Sequence, residues 1–431
     1  MRDTLALTPP MGWNSFDCFG AAVVEEEVKA NADYMASYLV AHGWEYIVVD
    51  FCWSHPSPGS LPNPNQGEEL IPRLVMDGNG RLLPAPERFP SAGGAKGFKP
   101  LADYVHAKGL KFGIHIMRGI PRQAVADNVR ILGTSASAAE IADKDDACQW
   151  LDHMYGVDMS KEGAQEYYDS LFRLYAEWGV DYVKADDFLA GGAGKYHAPE
   201  IEAVRKAADK CGRPMVLSFS PGAAPLSQAG HLRQNANLWR ISGDFWDDWS
   251  AIREQFDLCR DWAPHSGPGH WADADMIPFG RLSKRGPYGP ERFSNFTADE
   301  EVTLMTLWCI SRSPLMFGGN MPENDGFVLS LLTNDEVLAV NRNSSRNREY
   351  FRRGDLICWT ADAPESKGMY VALFNTGDNL QAATIVLEEL GLGGKCLVRD
   401  LGGRKDLGKF DADFTVKIPS HGAGLYRVSR L

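Results

Sequence analysis

Apolar runs along this chain share one arrangement: a glycine, a run of hydrophobic residues, then a polar or ionisable stop. Gly43 leads through Tyr46-Ile47-Val48-Val49 to Asp50, Gly109 through Phe112 and Ile114 to His115, and Gly179 through Tyr182 and Val183 to Asp186. Gly212 leads to Ser218 and Ser220, and Asn237-Leu238-Trp239-Arg240-Ile241 runs into Asp244. Glycine is favoured just past a helix because it reaches positive φ without strain. A short apolar run suits a strand buried on both faces. Helical spacings lie between the runs: Val24, Val28, Met35 and Leu39; Tyr167, Leu171, Leu174 and Trp178; Trp249, Ile252, Phe256 and Cys259. Further helices are predicted over 98–108, 199–211 and 298–310. With strands over 8–16, 267–280 and 314–317, the pattern predicts a (β/α)8 TIM barrel. In that fold all strand C-termini converge on one face, so the polar stops are the candidate chemistry.

Two stretches are too long for ordinary loops between strand and helix. Ser54 to Gly97, rich in Pro and Gly, predicts a lid or rim excursion on the catalytic face, and 118–160 a second excursion. The Asp143-Lys144-Asp145-Asp146 run within the second reads as a solvated loop rather than a metal site. After about residue 340 short alternating runs separated by turn-formers take over, around Leu356, Met369, Ala383, Leu397 and Leu425. They predict a small antiparallel β-sandwich. The expected division is a catalytic barrel over 1–335 and a sandwich over 336–431.

A chain of 431 residues suits one large barrel plus a smaller domain. Its net charge of −13 argues against a nucleic-acid or anionic-membrane partner, and no apolar run reaches membrane-spanning length. The first strand begins too near Met1 for a secretory leader, and the eight cysteines are scattered singly without a CxxC. These features predict reduced cysteines and a cytoplasmic location. A homo-oligomer is left open.

Two strand ends carry the sharpest chemistry. In Tyr182-Val183-Lys184-Ala185-Asp186, Lys184 and Asp186 point to the same side of a strand. A lysine beside a carboxylate favours its ionised form, which can act as a nucleophile. In Trp239-Arg240-Ile241-Ser242-Gly243-Asp244 the carboxylate lies past the strand end, where a loop can aim it across a pocket. Two carboxylates flanking one pocket are what glycoside hydrolysis needs. The bland readings are barrel-mouth salt bridges for Asp186 and Asp244 and a satisfied buried histidine for His115. Asp247-Asp248 reads as a helix N-terminal pair. Asp273 and Asp275, two apart, are spaced to permit a metal, although the metal reading is the weaker one. Trp13, Trp44 and Trp178 read first as core, and Trp53 stands evenly between core and pocket.

The same residues resemble glycoside hydrolase family 27, the melibiase-type α-galactosidases and α-N-acetylgalactosaminidases. The matches are Thr8-Pro9-Pro10-Met11-Gly12-Trp13-Asn14-Ser15, Asp50 with Cys52-Trp53, and Leu101 to Lys111. They continue with Lys184 and Asp186, Trp239-Arg240 and Asp244, Gly267-Pro268-Gly269-His270-Trp271 with Asp273 and Asp275, and Trp308 to Asn341. The resemblance implies a retaining exo-glycosidase for terminal α-D-galactosyl or α-N-acetylgalactosaminyl residues, with Asp186 as nucleophile and Asp244 as general acid/base. It implies a carbohydrate substrate and no cofactor or metal. The expected substrate-binding set is Asp50, Phe51, Trp53, His115, Lys184, Ser220, Arg240 and Trp13, with His115 and Trp53 forming pocket wall.

The chain also departs from the family pattern. Phe51 follows Asp50 where a second Asp is usual, Phe16 replaces a Trp, and His115 replaces a Tyr. Ser220 or Pro221 stands where a Glu or similar residue is usual, and Ala21 replaces a cysteine that would pair with Cys52. Hydrolysis with retention is therefore more firmly implied than the sugar. A β-L-arabinopyranosidase, an isomalto-oligosaccharide-releasing glucanase, a non-catalytic sugar-binding barrel and a metal-dependent barrel enzyme remain alternatives.

Overall fold

Eight short parallel strands close around one axis. The first, Met11–Asn14, pairs with the second, Tyr46–Val49, and that with the third, Lys111–Met117. The fourth, Tyr182–Asp186, follows the third and pairs with the fifth, Val216–Phe219. The sixth, Leu238–Arg240, and the seventh, Trp271–Asp273, continue the sheet, and the eighth, Leu315–Phe317, returns to the first. Closure between seventh and eighth runs through a parallel bridge from Ile277 to Phe317 and an Ile277 N–H to Met316 C=O bond of 2.7 Å. The computed structural model describes residues 4–58, 73–148, 150–151, 153–190, 194–286, 288–364 and 368–431.

The helices fall where the apolar spacings place them: Glu25–Tyr38, Lys99–His106, Ala164–Trp178, Ala198–Lys210, Trp249–Trp262 and Ala298–Ser311. Ala164–Trp178 buries Tyr167, Leu171, Leu174 and Trp178, and ends at Gly179 with φ 84°, a conformation that costs a side-chain-bearing residue more. Asp248 caps Trp249–Trp262 by accepting from the Ser250 N–H at 2.7 Å, which satisfies a helix donor left without an internal partner. Ala298–Ser311 opens on a capping box between Thr297 and Glu300 and is buried almost all round. Its lack of a polar face follows from its place between the barrel and the C-terminal strands.

Those strands form a six-stranded antiparallel sheet and a separate pair, Gln381–Val386 with Asp413–Ile418. Cys358, Val371, Leu373, Ile385, Val398, Phe414 and Val428 make their own core. The sheet includes Ser345–Arg353 and Lys405–Phe410, which the alternation did not mark because both are largely exposed. Phe256 meets Phe374 edge-on at 4.9 Å, and Trp249 stacks on His421 at 4.0 Å, tying the sandwich to the barrel. The eight cysteines are free. No helix of the described residues is long and apolar enough to cross a membrane.

Candidate active site

A pocket of about 730 Å³ opens at the C-terminal ends of the strands. Its floor is charged. Asp50, just past the second strand, is 1% exposed and accepts from Asn14 Nδ2 at 2.7 Å, Lys184 Nζ at 3.0 Å and the Phe51 N–H at 2.8 Å. Burial works to raise its pKa, but Lys184, His115 and these hydrogen bonds outweigh it and hold the carboxyl at about 2. Asp186 ends the fourth strand two residues on from Lys184, on the same side. One oxygen accepts the Asp187 N–H at 2.8 Å, and the other lies 2.9 Å from His115 Nε2. Burial again pushes upward, and His115, Lys184 and the Asp187 N–H together bring the Asp186 pKa below its ordinary value. An ionised carboxylate can only accept, so Nε2 of His115 carries the proton. Parallel register sets His115 beside Lys184. Asp186 is thus a fixed, ionised carboxylate facing the pocket.

The second carboxylate is held differently. Arg240, buried at the end of the sixth strand, donates to Gly243 C=O at 2.6 Å and to Asp244 at 3.2 Å. It also pairs with Asp275 at 2.9 Å. Asp275 accepts the Phe245 N–H at 2.8 Å, so Arg240 and Asp275 grip the loop on both sides of Asp244. Burial raises the Asp275 pKa to about 6 against the pull of Arg240, with Asp244 and Asp273 adding to the rise. The Asp244 side chain itself is 57% exposed, against 13% for Asp186. Gly222 lines the pocket where a Cβ would meet Ser242 C=O at 1.6 Å, so no larger residue fits there.

A third cluster surrounds buried Arg118. It donates to Glu200 at 2.7 Å, to Asp146 at 3.2 Å and to both the carbonyl and carboxylate of Asp187. Its own N–H bonds Asp186 C=O at 2.9 Å, so Arg118 braces the main chain at Asp186 and Asp187. Burial raises the Asp187 pKa to about 6; Arg118 opposes this and Asp186 adds to it. Among the described residues, no group of three or more His, Cys, Asp or Glu is arranged to hold a metal.

Five aromatic residues also line the pocket. Trp150, Phe51, Phe16, Trp246 and Tyr288 make one chain of ring contacts, with successive centroids 6.3, 5.4, 6.4 and 4.9 Å apart.

Comparison with known proteins bears on this arrangement. The family model described as alpha galactosidase A matches residues 8–125 and 152–343, and that of the alpha galactosidase C-terminal beta sandwich domain matches 353–428. The chain belongs to glycoside hydrolase family 27, the melibiases. It is similar to alpha-galactosidase A of Cellvibrio japonicus, 30% identical over 86% of this chain and 76% of that one. It is also similar to alpha-N-acetylgalactosaminidase of Gallus gallus, 26% identical over 80% and 72%. Among solved structures, a family 27 β-L-arabinopyranosidase of Geobacillus stearothermophilus in complex with arabinose matches at TM-score 0.96 and 49% identity, covering 100% of this chain and 99% of that one.

This glycosidase brings Asp50, Phe51, Lys184, Asp186, Arg240 and Asp244 to one pocket. Other expected contacts lie elsewhere. Trp13 is fully buried and its indole N–H donates to Gly319 C=O at 2.8 Å, so it belongs to the core. Trp53 packs edge-on against Phe98 and Trp178, and its N–H donates to His115 C=O at 2.6 Å. It supports the third strand and is not pocket wall. His115 sits behind Asp186 as its hydrogen-bond partner, 1% exposed, rather than on the surface a sugar would touch. Ser220 is buried, while the next residues, Pro221 and Gly222, reach the pocket.

The Asp-rich run is a strand rather than a loop, with Lys144 and Asp145 exposed. Ala142–Ala147 is a strand in a small three-stranded sheet, and Asp146 reaches Arg118 and Lys195, both at 3.2 Å. The described parts of 54–97 contribute no pocket residue. Leu74 instead exchanges hydrogen bonds with Gln123, and Arg88 donates to Val23, Cys52 and His55 carbonyls. Residues 59–72 of the expected lid lie outside the described residues. Asp248 is a helix cap, but Asp247 binds Arg292 at 2.9 Å and the Asn295 N–H at 2.9 Å. Trp150, Trp246 and Tyr288 went unmarked because loop residues carry no periodic signal. Arg118, one residue past the third strand's end at Met117, was open to the strand-end rule that found the others.

Proposed function

We propose that this glycosidase is a retaining exo-acting enzyme for a terminal pyranoside of α-galacto configuration, such as an α-D-galactosyl or α-N-acetylgalactosaminyl residue. The observation that carries the reading is the pairing, in one pocket, of a mostly covered ionised carboxylate, Asp186, with an exposed one, Asp244. Asp186 attacks the anomeric carbon. The bond to the glycosidic oxygen breaks, and that oxygen takes the proton of Asp244. The sugar is then esterified to Asp186. Water attacks the same carbon, gives its proton to Asp244, and releases the sugar with its original anomeric configuration. Lys184 and His115 keep Asp186 ionised, and Asp50, Lys184 and Arg240 supply charge-assisted contacts to hydroxyls. The test is chemical rescue. Asp186→Ala with azide should give the glycosyl azide of inverted configuration, and Asp244→Ala the azide of retained configuration. The opposite assignment, or inversion by the native protein, overturns the reading.

Phe51 favours a narrower version. It is 2% exposed and sits edge-on to Trp150 at 6.3 Å, where the family pattern has a carboxylate. An apolar wall there suits a sugar without the C6 hydroxymethyl, and β-L-arabinopyranose is α-D-galactopyranose lacking that group. The Geobacillus protein with that activity is 49% identical to this chain. Under this version kcat/KM on nitrophenyl β-L-arabinopyranoside exceeds that on nitrophenyl α-D-galactoside. The reverse order removes it and leaves the α-galactosyl reading.

A further inference from the structure

Backbone strain gathers at the catalytic face. Cys52, Asp187 and Asp275, just past the second, fourth and seventh strands, carry side chains at φ 60°, 66° and 82°. That region disfavours any residue with a Cβ, although Asp tolerates it better than most. Asp187 directly follows Asp186. Its N–H is one of two donors on the Asp186 carboxylate, at 2.8 Å on one oxygen, and His115 is the other, at 2.9 Å on the second oxygen. A carboxylate turns about a single bond, so one donor leaves it able to swing, and two donors on different oxygens fix its plane. The His115 donor stands on the third strand, whereas the Asp187 donor depends on the strained turn.

Arg118 meets this turn as a fork. Its Nε donates to the Asp187 carbonyl at 2.9 Å and to the Asp187 carboxylate at 3.1 Å, and its Nη2 reaches the same carboxylate at 3.0 Å. One guanidinium thus holds both the main chain and the side chain of the strained residue. Its far side is anchored in turn. Nη1 donates to Glu200 at 2.7 Å, and Glu200, in the first turn of Ala198–Lys210, also accepts from the Tyr168 hydroxyl and from the Val157 N–H at 3.3 Å. The space is cut to this side chain: a Cβ at Gly156 would lie 2.8 Å from Arg118 Nη1.

We propose that Arg118 is a positioning residue for the reaction: it holds Asp187 in the left-handed conformation and, through the Asp187 N–H, fixes the plane of the attacking Asp186 carboxylate. The inference rests on the mechanism above, in which Asp186 is the nucleophile. His115 and Lys184 keep that carboxylate ionised, and Arg118 aims it. A lysine could supply the same charge at one point, but not a planar fork that spans carbonyl and carboxylate together.

The experiment uses Arg118→Lys, which leaves a cation among Asp146, Asp187 and Glu200, on whichever of the two nitrophenyl glycosides the native enzyme cleaves faster. A misaimed nucleophile slows the chemical step, so kcat should fall about tenfold with KM within about twofold of native. Glycine takes φ near 60° without strain. Adding Asp187→Gly to Arg118→Lys should therefore recover kcat about fivefold, while adding Asp187→Ala, which also removes the carboxylate but keeps the Cβ, should not. A residue that merely braced the fold would show no such rescue. If Arg118→Lys does not fold, Asp187→Ala against Asp187→Gly with Arg118 intact asks the same question, and Ala should give the lower kcat. Native kcat in Arg118→Lys, equal kcat for the Gly and Ala variants, or a loss carried by KM overturns the proposal. The azide products of Asp186→Ala test the mechanism separately: absence of the inverted glycosyl azide there removes Asp186 as nucleophile, and this inference with it.

Discussion

The pocket is made of two sets of residues that were assembled in different ways. Asp50, Lys184, Asp186 and Arg240 sit at or near strand ends and are locked by one another and by main-chain groups. The aromatic set, Trp150, Phe51, Phe16, Trp246 and Tyr288, comes mainly from the loops and is held by ring contacts. In the proposed mechanism the charged set holds the reacting groups, and it stands on the barrel strands. The aromatic set comes mainly from segments that can change without disturbing the barrel. Change at Phe51, next to an unchanged Asp50, is that division within two neighbouring residues.

The strongest way to break the charged set is Lys184→Met. It leaves Asp50 buried without its cation, and removing one partner of a buried pair costs about 3–5 kcal/mol. Denaturant unfolding should show a loss of that order, and kcat/KM should fall by roughly 10²–10³-fold. The pH profile gives an independent reading. Lys184 is one of the groups that lower the Asp186 pKa against burial, so its removal raises that pKa. In the proposed mechanism a protonated Asp186 cannot attack, and the acid limb of kcat/KM should therefore move to higher pH. A limb that stays in place would show that Lys184 does not act on Asp186.

His115→Phe comes next. A hydrogen bond to a charged group is worth about 1.5–3 kcal/mol, so kcat should fall about 10- to 100-fold with KM nearly constant. His115→Gln, which can still donate, should recover much of the loss; equal losses in the two variants would show that only packing matters there.

On the aromatic side, Phe51→Asp should shift the ratio of kcat/KM for nitrophenyl α-D-galactoside over β-L-arabinopyranoside by about tenfold toward the galactoside. An unchanged ratio separates Phe51 from specificity.

The smallest effect sharpens the contrast in electrostatic terms. Asp187 has its pKa raised by burial to about 6, so between about pH 4 and 6 the folded protein binds the extra proton and stability falls as pH rises. Asp187→Asn should flatten that slope by up to about one proton, leaving the part of the same sign that Asp275 contributes. Trp150→Leu, in the aromatic set, should leave the slope as it is. Unfolding free energies across that pH range decide both.

The charged set was legible because barrel strands announce their ends. Glycine, apolar run and polar stop located Asp50 and Asp186, an apolar run without the glycine led into Asp244, and the register between strands then brings the strand ends together. The same rule could not tell inward from supporting positions. His115 and Trp53 both follow strand signals, yet one lies behind Asp186 and the other under the third strand. Asp143 to Asp146 read as solvated because acidic runs usually are; the cation that draws Asp146 inward, Arg118, approaches only through folding.

From the sequence alone came the barrel, the sandwich after it and the two carboxylates, because strand and helix periodicity and local chemistry are written in neighbouring residues. The grip of Arg240 and Asp275 on the Asp244 loop, the burial of Trp13 and the aromatic path from Trp150 to Tyr288 were decided by tertiary structure. These are contacts between segments far apart in the chain. No local pattern encodes them, since each side chain's role depends on which neighbour the closed barrel places against it.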